Sequence, residues 1–172
     1  EEAAPIFFYD EIYSLLLKQS AYMSKRFDCA DFRAQLFFKI YKDCHEKLNV
    51  NCKELIKQTF LGFKYFMDEP GDDSMCYWSE NHQILFAVSE YLAGQEWPEE
   101  NFYNCNLSGN EHMKKAEERI IAWMNQRFKY GFSEYLSNNY LAEDIAPMAN
   151  FIAYAKNEKL VEQMRIIMDI LW

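Results

Sequence analysis

Glycine and proline are scarce, at 5 and 4 of 172 residues. That excludes collagen-like or linker sequence and argues against a turn-rich β-sandwich. No apolar run approaches the roughly 18 residues a membrane span needs, so no span is expected. Lys and Arg are absent between Lys64 and Lys114, while that stretch carries Asp68, Glu69, Asp72, Asp73, Glu80, Glu90, Glu96, Glu99, Glu100 and Glu111. A nucleic-acid groove needs clustered cations to release condensed counterions. Nucleic acid is therefore excluded as a partner, and an anionic membrane surface is disfavoured for the same reason. Over the whole chain, 18 basic residues oppose 27 acidic ones, a net of −9.

The five cysteines, Cys29, Cys44, Cys52, Cys76 and Cys105, are odd in number and lack a CxxC spacing. They do not read as a disulfide framework and suit a reducing compartment. Cys44, His45 and Cys52 approach a zinc pattern but lack a fourth ligand. As small hydrophobes on helix faces the cysteines need no further role, and no metal or cofactor is expected.

Half the residues are apolar and 17% are aromatic, which excludes a disordered chain and supplies a core. Apolar residues recur at helical spacing in block after block. The first block has Ile6, Tyr9, Ile12, Tyr13, Leu16 and Leu17; the second runs from Phe32 through Leu36 and Phe37 to Leu48. A third opens at Asn51, with Glu54 as reciprocal acid, and runs through Phe63 and Phe66 to Pro70-Gly71. The fourth extends from Ser79 through Ile84, Leu85, Val88, Tyr91 and Leu92, with Gly94 as its stop. After a long connection from Gln95 to Gly109, Ser108 and Glu111 form a capping box for a helix with Met113 to Phe128 inward and Gly131 as its end. Leu141 to Lys156 resumes helical spacing, with Pro147 in a first turn or at a kink, and Asn157 caps a last helix.

The expected fold is all-α: about seven helices of roughly 12 to 20 residues in antiparallel hairpins, forming a curved α/α array or partial toroid. No segment alternates with period two. The chain opens on Glu1-Glu2-Ala3 rather than Met and closes on the uncapped apolar pair Leu171-Trp172. A single helical domain, residues 1–172, belonging to a larger helical architecture is expected.

Two links depart from short, bland turns. Tyr77-Trp78-Ser79-Glu80-Asn81-His82-Gln83 opens the fourth helix, and Gly131-Phe132-Ser133-Glu134-Tyr135-Leu136-Ser137-Asn138-Asn139-Tyr140 follows the fifth. Aromatic faces stack on the apolar faces of sugar rings, while amides and carboxylates bind hydroxyls. In a hairpin array alternate links emerge on one rim, so Tyr77, Trp78, Asn138, Asn139 and Tyr140 are candidate binding residues. Taken singly, each also fits an ordinary structural role: Tyr77 and Trp78 as a staple, His82 as an interior histidine, Asn138-Asn139 as a turn.

These two segments, with Glu90-Tyr91-Leu92-Ala93-Gly94-Gln95, resemble bacterial α/α-toroid proteins, the alginate-lyase and heparinase-like polysaccharide lyases. The resemblance covers roughly residues 70 to 172. It implies a glycan-processing toroid in which Asn81 neutralises a uronate carboxylate, His82 is the base or its helper, and Tyr135 or Tyr140 is the acid. A complete toroid would need about twice as many helices. Such lyases tend to carry an amide where Glu80 stands, and the acidic stretch would slow approach of a polyuronate. A neutral glycan fits better, with Glu80 and Glu134 as the carboxylate pair of a hydrolase. The alternative is a non-catalytic scaffold docking the rest of its parent chain or a basic protein. A di-metal bundle ranks last, because the Glu-x-x-His step it needs is missing.

Overall fold

A computed structural model of the chain describes residues 6–171, with side chains from Glu11 onward. Expectations placed on the side chains of Ile6 and Tyr9 and on Trp172 lie outside the described residues. Among these residues the fold is all-α, an array of seven helices: α1 (Ile6–Ser24), α2 (Ala30–Asp43), α3 (Val50–Leu61), α4 (Glu80–Glu96), α5 (Gly109–Tyr130), α6 (Tyr140–Tyr154) and α7 (Glu158–Asp169). A 3-10 turn, His45–Lys47, lies between α2 and α3. The long connection before α5 holds a two-residue antiparallel ladder, β1 (Asn101–Phe102) and β2 (Leu107–Ser108), with Asn106 in the left-handed region at φ 58°.

Polar contacts between helices give their directions. At the start of α4 His82 meets Asp31, at the start of α2, and at its end Glu96 meets Lys42, near the end of α2. Tyr154, at the end of α6, donates to Asp43 at the end of α2 and accepts from Gln95 of α4 through its carbonyl. So α2, α4 and α6 run parallel, with their N-termini at one end. Helix α5 runs antiparallel to α4: Trp123 donates to the Glu80 carbonyl at one end, and Gly94 faces Gly109 at the other. Ser20 of α1 bonds Thr59 of α3, and α5 packs on α7. Among α2, α4 and α6 the alternate helices thus share a direction, with α5 opposed to α4.

Helix α4 is the centre of the core. From Glu80 to Gly94 every residue but Gln83 is buried, because α2, α5 and α6 cover it on several sides. A helix buried all round has no single apolar stripe. Phe37, Phe38, Phe60, Phe63, Tyr65, Phe86, Phe102 and Phe151 are fully buried in one continuous core. Leu17, Leu36 and Phe128, inward by spacing, are exposed.

Several boundaries differ from the sequence expectations. Helix α3 is capped by Asn49, whose Oδ1 accepts from Cys52 N at 2.8 Å; Asn51 is already helical, and Glu54 accepts from Gln58 instead. It ends at Leu61, not beyond Phe66. Gly62 lets the Tyr103 ring lie over the helix end, where a Cβ would come within 2.6 Å of it, and the Tyr103 hydroxyl donates to the Gln58 carbonyl at 2.6 Å. Phe63 and Phe66 keep the apolar spacing in an irregular connection. Gly94 does not stop α4 but lies inside it: a Cβ there would sit 2.4 Å from the Gly109 carbonyl oxygen, so the missing side chain lets α5 approach. Pro147 lies inside α6. The Ser108–Glu111 capping box, the Gly131 stop and the Asn157 cap all form as read.

Candidate functional site

The N-terminal ends of α2, α4 and α6 bring three buried acids together at one end of the array: Asp31, Glu80 and Asp144. Carboxylates near a helix N-terminus are stabilised by the free amides and the helix dipole. The two unusual links also meet here. Glu80 Oε2 accepts from Ser133 N at 2.9 Å and Ser133 Oγ at 2.8 Å, and it pairs with Arg127 at the end of α5. The segment after α5 is thereby stapled to the first turn of α4.

Asp144 and Glu134 complete this cluster. Both Asp144 carboxyl oxygens, Glu80 Oε1 and Glu134 Oε2 are buried with no N–H or hydroxyl donor among the described residues, and Asp144 lies against Glu80. Burial, reinforced by the Glu80 and Glu134 charges and only partly offset by Arg127, pushes the Asp144 carboxyl up to about 8. At neutral pH it carries its proton. Three carboxyl groups and one guanidinium thus share this corner, where burial first and the neighbouring carboxylates second keep Asp144 neutral.

On the α2 side, His82 Nδ1 contacts Asp31 Oδ2 at 2.6 Å. Burial lowers the affinity of His82 for a proton, but Asp31, Asp28 and Glu143 outweigh it and hold the histidine above its ordinary value. Burial likewise raises Asp31, against the lowering contact with His82. Asp28 and Cys29, in the link before α2, are exposed beside this pair. A groove of about 570 Å³ leads away between α2 and α6, with Phe32 and Glu143 at one end, Leu85 in its floor, and Lys39 and Ala153 at the other.

The remaining sequence candidates divide by exposure. Trp78 is 71% exposed, Tyr135 52% and Tyr140 50%, and Asn138 and Asn139 are also exposed. Tyr77 and Asn81 are turned inward. The Tyr77 ring packs on Phe86 with centroids 4.6 Å apart, and burial raises its hydroxyl pKa. Asn81 Oδ1 accepts from Ser79 Oγ and from His82 N at 2.8 Å, so it is engaged on its own helix start. Reading the sequence missed Asp31, Arg127, Asp144 and Asp28. Asp144 had a signal, an acid inside the apolar stripe of Leu141, Ile145 and Met148; Arg127 and Asp28 had none.

A second polar cluster lies toward the other end of α4. His112 Nδ1 contacts Glu90 Oε1 at 2.6 Å, its Nε2 contacts Cys105 Sγ at 3.2 Å, and Glu90 pairs with Arg119. Glu69 Oε2 accepts from Tyr65 N and Asn104, and Lys115 donates to Glu69 and Asp68. Burial holds His112 down to about 4, so the neutral ring donates through Nδ1 and accepts through Nε2. The Cys44, His45 and Cys52 grouping is not among the clusters that bring metal-ligating atoms together in the described residues.

No protein-family model, curated protein or solved structure matches this chain.

Proposed function

We propose that this chain binds a neutral glycan at the end of the array where α2, α4 and α6 begin, and that it belongs to a glycan-processing protein. The observation that carries the reading is the staple between the two links, Glu80 to Ser133. It ties the link that carries the exposed Trp78 to the one that carries the exposed Tyr135 and Tyr140, beside a buried carboxyl cluster. Aromatic faces and convergent polar groups are what a sugar needs, and the surrounding acids disfavour a polyanionic one. Glu134 is half-buried and is the carboxylate of the cluster nearest solvent, so it is the acid–base residue of this reading. Glu80, gripped by Arg127 and Ser133, positions the segment that carries it, and Asp144 holds a proton behind them. The α/α-toroid resemblance shares with this reading only the glycan class, since it implies Asn81 and His82 acting on a uronate.

The test is calorimetric titration of the protein with neutral and uronic-acid oligosaccharides, with products followed by mass and by ultraviolet absorbance. A neutral sugar is expected to bind, Trp78→Ala to weaken it about tenfold, equivalent to about 1.4 kcal/mol, and any products to be saturated. Unsaturated products from a uronate would replace hydrolysis with elimination, and no binding to any sugar would refute the reading.

A second reading has an observation of its own. Ile121, Phe128 and Ile166 are exposed around a groove between α5 and α7. Such a face fits a scaffold that docks another helical surface. Concentration-dependent association in sedimentation, abolished by Phe128→Glu, would favour it.

A further inference from the structure

Two groups of side chains in this molecule combine sulfur, nitrogen and oxygen donors. One ligand atom each from Asp28, Cys29 and His82 lie within 4.8 Å of one another, and so do atoms from Glu69, Cys105 and His112. The second group is already committed. His112 uses both ring nitrogens, on Glu90 and Cys105, and Lys115 donates to Glu69. A cation there would displace the Lys115 ammonium from Glu69 and take the place of the His112–Cys105 contact.

The first group shares the buried carboxylate behind its histidine but leaves its other donors open. His82 is only 8% exposed, and its Nδ1 is held by Asp31, itself fully buried. That contact fixes the ring and leaves Nε2, which has no hydrogen-bond partner among the described residues. A carboxylate behind a histidine is the arrangement that orients a metal-binding imidazole. Asp28 is anchored from two sides: its Oδ1 accepts from Cys76 N at 3.2 Å and its carbonyl from the Tyr22 hydroxyl at 2.8 Å. The charges acting on both Cys29 and His82 are the acids Asp28, Asp31 and Glu143. They oppose a free thiolate, so Cys29 is a poor lone nucleophile, and they favour a bound cation.

We propose that Asp28, Cys29 and His82 bind a zinc-class divalent metal ion, with Asp31 as the positioning residue for His82. Zinc bonds of about 2.0–2.3 Å place donor atoms roughly 3.5 Å apart, a closure that the exposed Asp28 and Cys29 side chains can supply. Three protein donors leave a fourth position for water. Thiolate with imidazole selects zinc, or cobalt in its place, over calcium and magnesium. The site stands independently of the glycan reading.

Titration of the purified, metal-stripped protein with Co(II), followed by competition with Zn(II), tests this. One equivalent is expected to bind, with a thiolate-to-cobalt charge-transfer band. Cys29→Ser is expected to abolish the band and lower zinc affinity at least about tenfold, and Asp31→Asn to lower it about 10–100-fold. Cys105→Ser is expected to leave the band intact. Circular dichroism checks folding; if Cys29→Ser does not fold, Asp28→Asn at an exposed position carries the same expected loss of affinity. Absence of stoichiometric binding, a band that survives Cys29→Ser, or a band lost only in Cys105→Ser would overturn the assignment.

Discussion

At the start of α4, His82 holds Asp31 through Nδ1 and leaves its other nitrogen unpartnered beside an exposed cysteine. Two turns further along the same helix, Glu90 holds His112, which passes the contact on to Cys105. Both sites are built from a carboxylate, an imidazole and a thiol. They differ in closure. Around Glu90 both nitrogens of His112 are engaged, Arg119 pairs with the carboxylate, Lys115 and Glu69 lie alongside, and burial keeps His112 neutral. Around His82 the network stops at the surface, among the acids Asp28 and Glu143. Where the cluster is sealed it can only hold the fold together; where it is left open it is free to take a ligand.

The largest effect is expected at the sealed site. Glu90→Ala strands Arg119 and His112 without their partner and should cost about 3–5 kcal/mol, the usual consequence of breaking a buried ion pair. Urea denaturation measures it, and a loss below about 1 kcal/mol would mean that the sealed site is not structural. Gly94→Ala forces a Cβ to within 2.4 Å of the Gly109 carbonyl oxygen and so separates α4 from α5. A cost of about 1–3 kcal/mol follows from overpacking, read from the same denaturation curves.

The pH dependence separates the two ends. Asp144 is raised from 3.8 to about 8, so its folded form keeps a proton that the unfolded chain loses. Its contribution is fully present below pH 3.8 and is lost as pH rises toward 8. Glu80, Glu134 and Arg127 face it, and Asp144→Asn removes the titration. The variant should gain stability relative to the wild type across that window, by at most about 1.4 kcal/mol per pH unit. His112 works in the opposite sense: its folded value falls from 6.5 to about 4, so stability at the sealed site is present above pH 6.5 and is lost as pH falls toward 4. The smallest effect is at Trp78, which is 71% exposed: Trp78→Ala should change stability by less than about 0.5 kcal/mol while weakening a sugar ligand. A large loss of stability there would make the ring part of the fold rather than of a site.

Helix identity was legible in the sequence because local chemistry decides it. Ser108 with Glu111, Gly131 and Asn157 each act within one turn of chain, and all three do what their spacing implies. The misread boundaries have a common cause in distant residues. Tyr103 lies over the end of α3, and Gly109 approaches α4 at Gly94; neither contact is visible from the neighbourhood of the glycine. In the candidate site, the two polar links were legible by composition, and their meeting through Glu80 and Ser133 agrees with the alternate-link argument. The inward turn of Asn81 was not legible, because it lies in the first turn of a helix covered by three neighbours, whereas Tyr77 packs inward as its staple reading implies. Nor was the cysteine–histidine cluster at α2, whose members stand 53 positions apart in the chain, at Cys29 and His82.

The central claim is that ligand chemistry belongs to the end where α2, α4 and α6 begin. Hydrogen–deuterium exchange with and without a neutral oligosaccharide at saturating concentration measures this directly. Protection confined to residues 76–82 and 131–144 is the predicted result. Protection centred on the groove between α5 and α7, or none with any sugar tried, would contradict it.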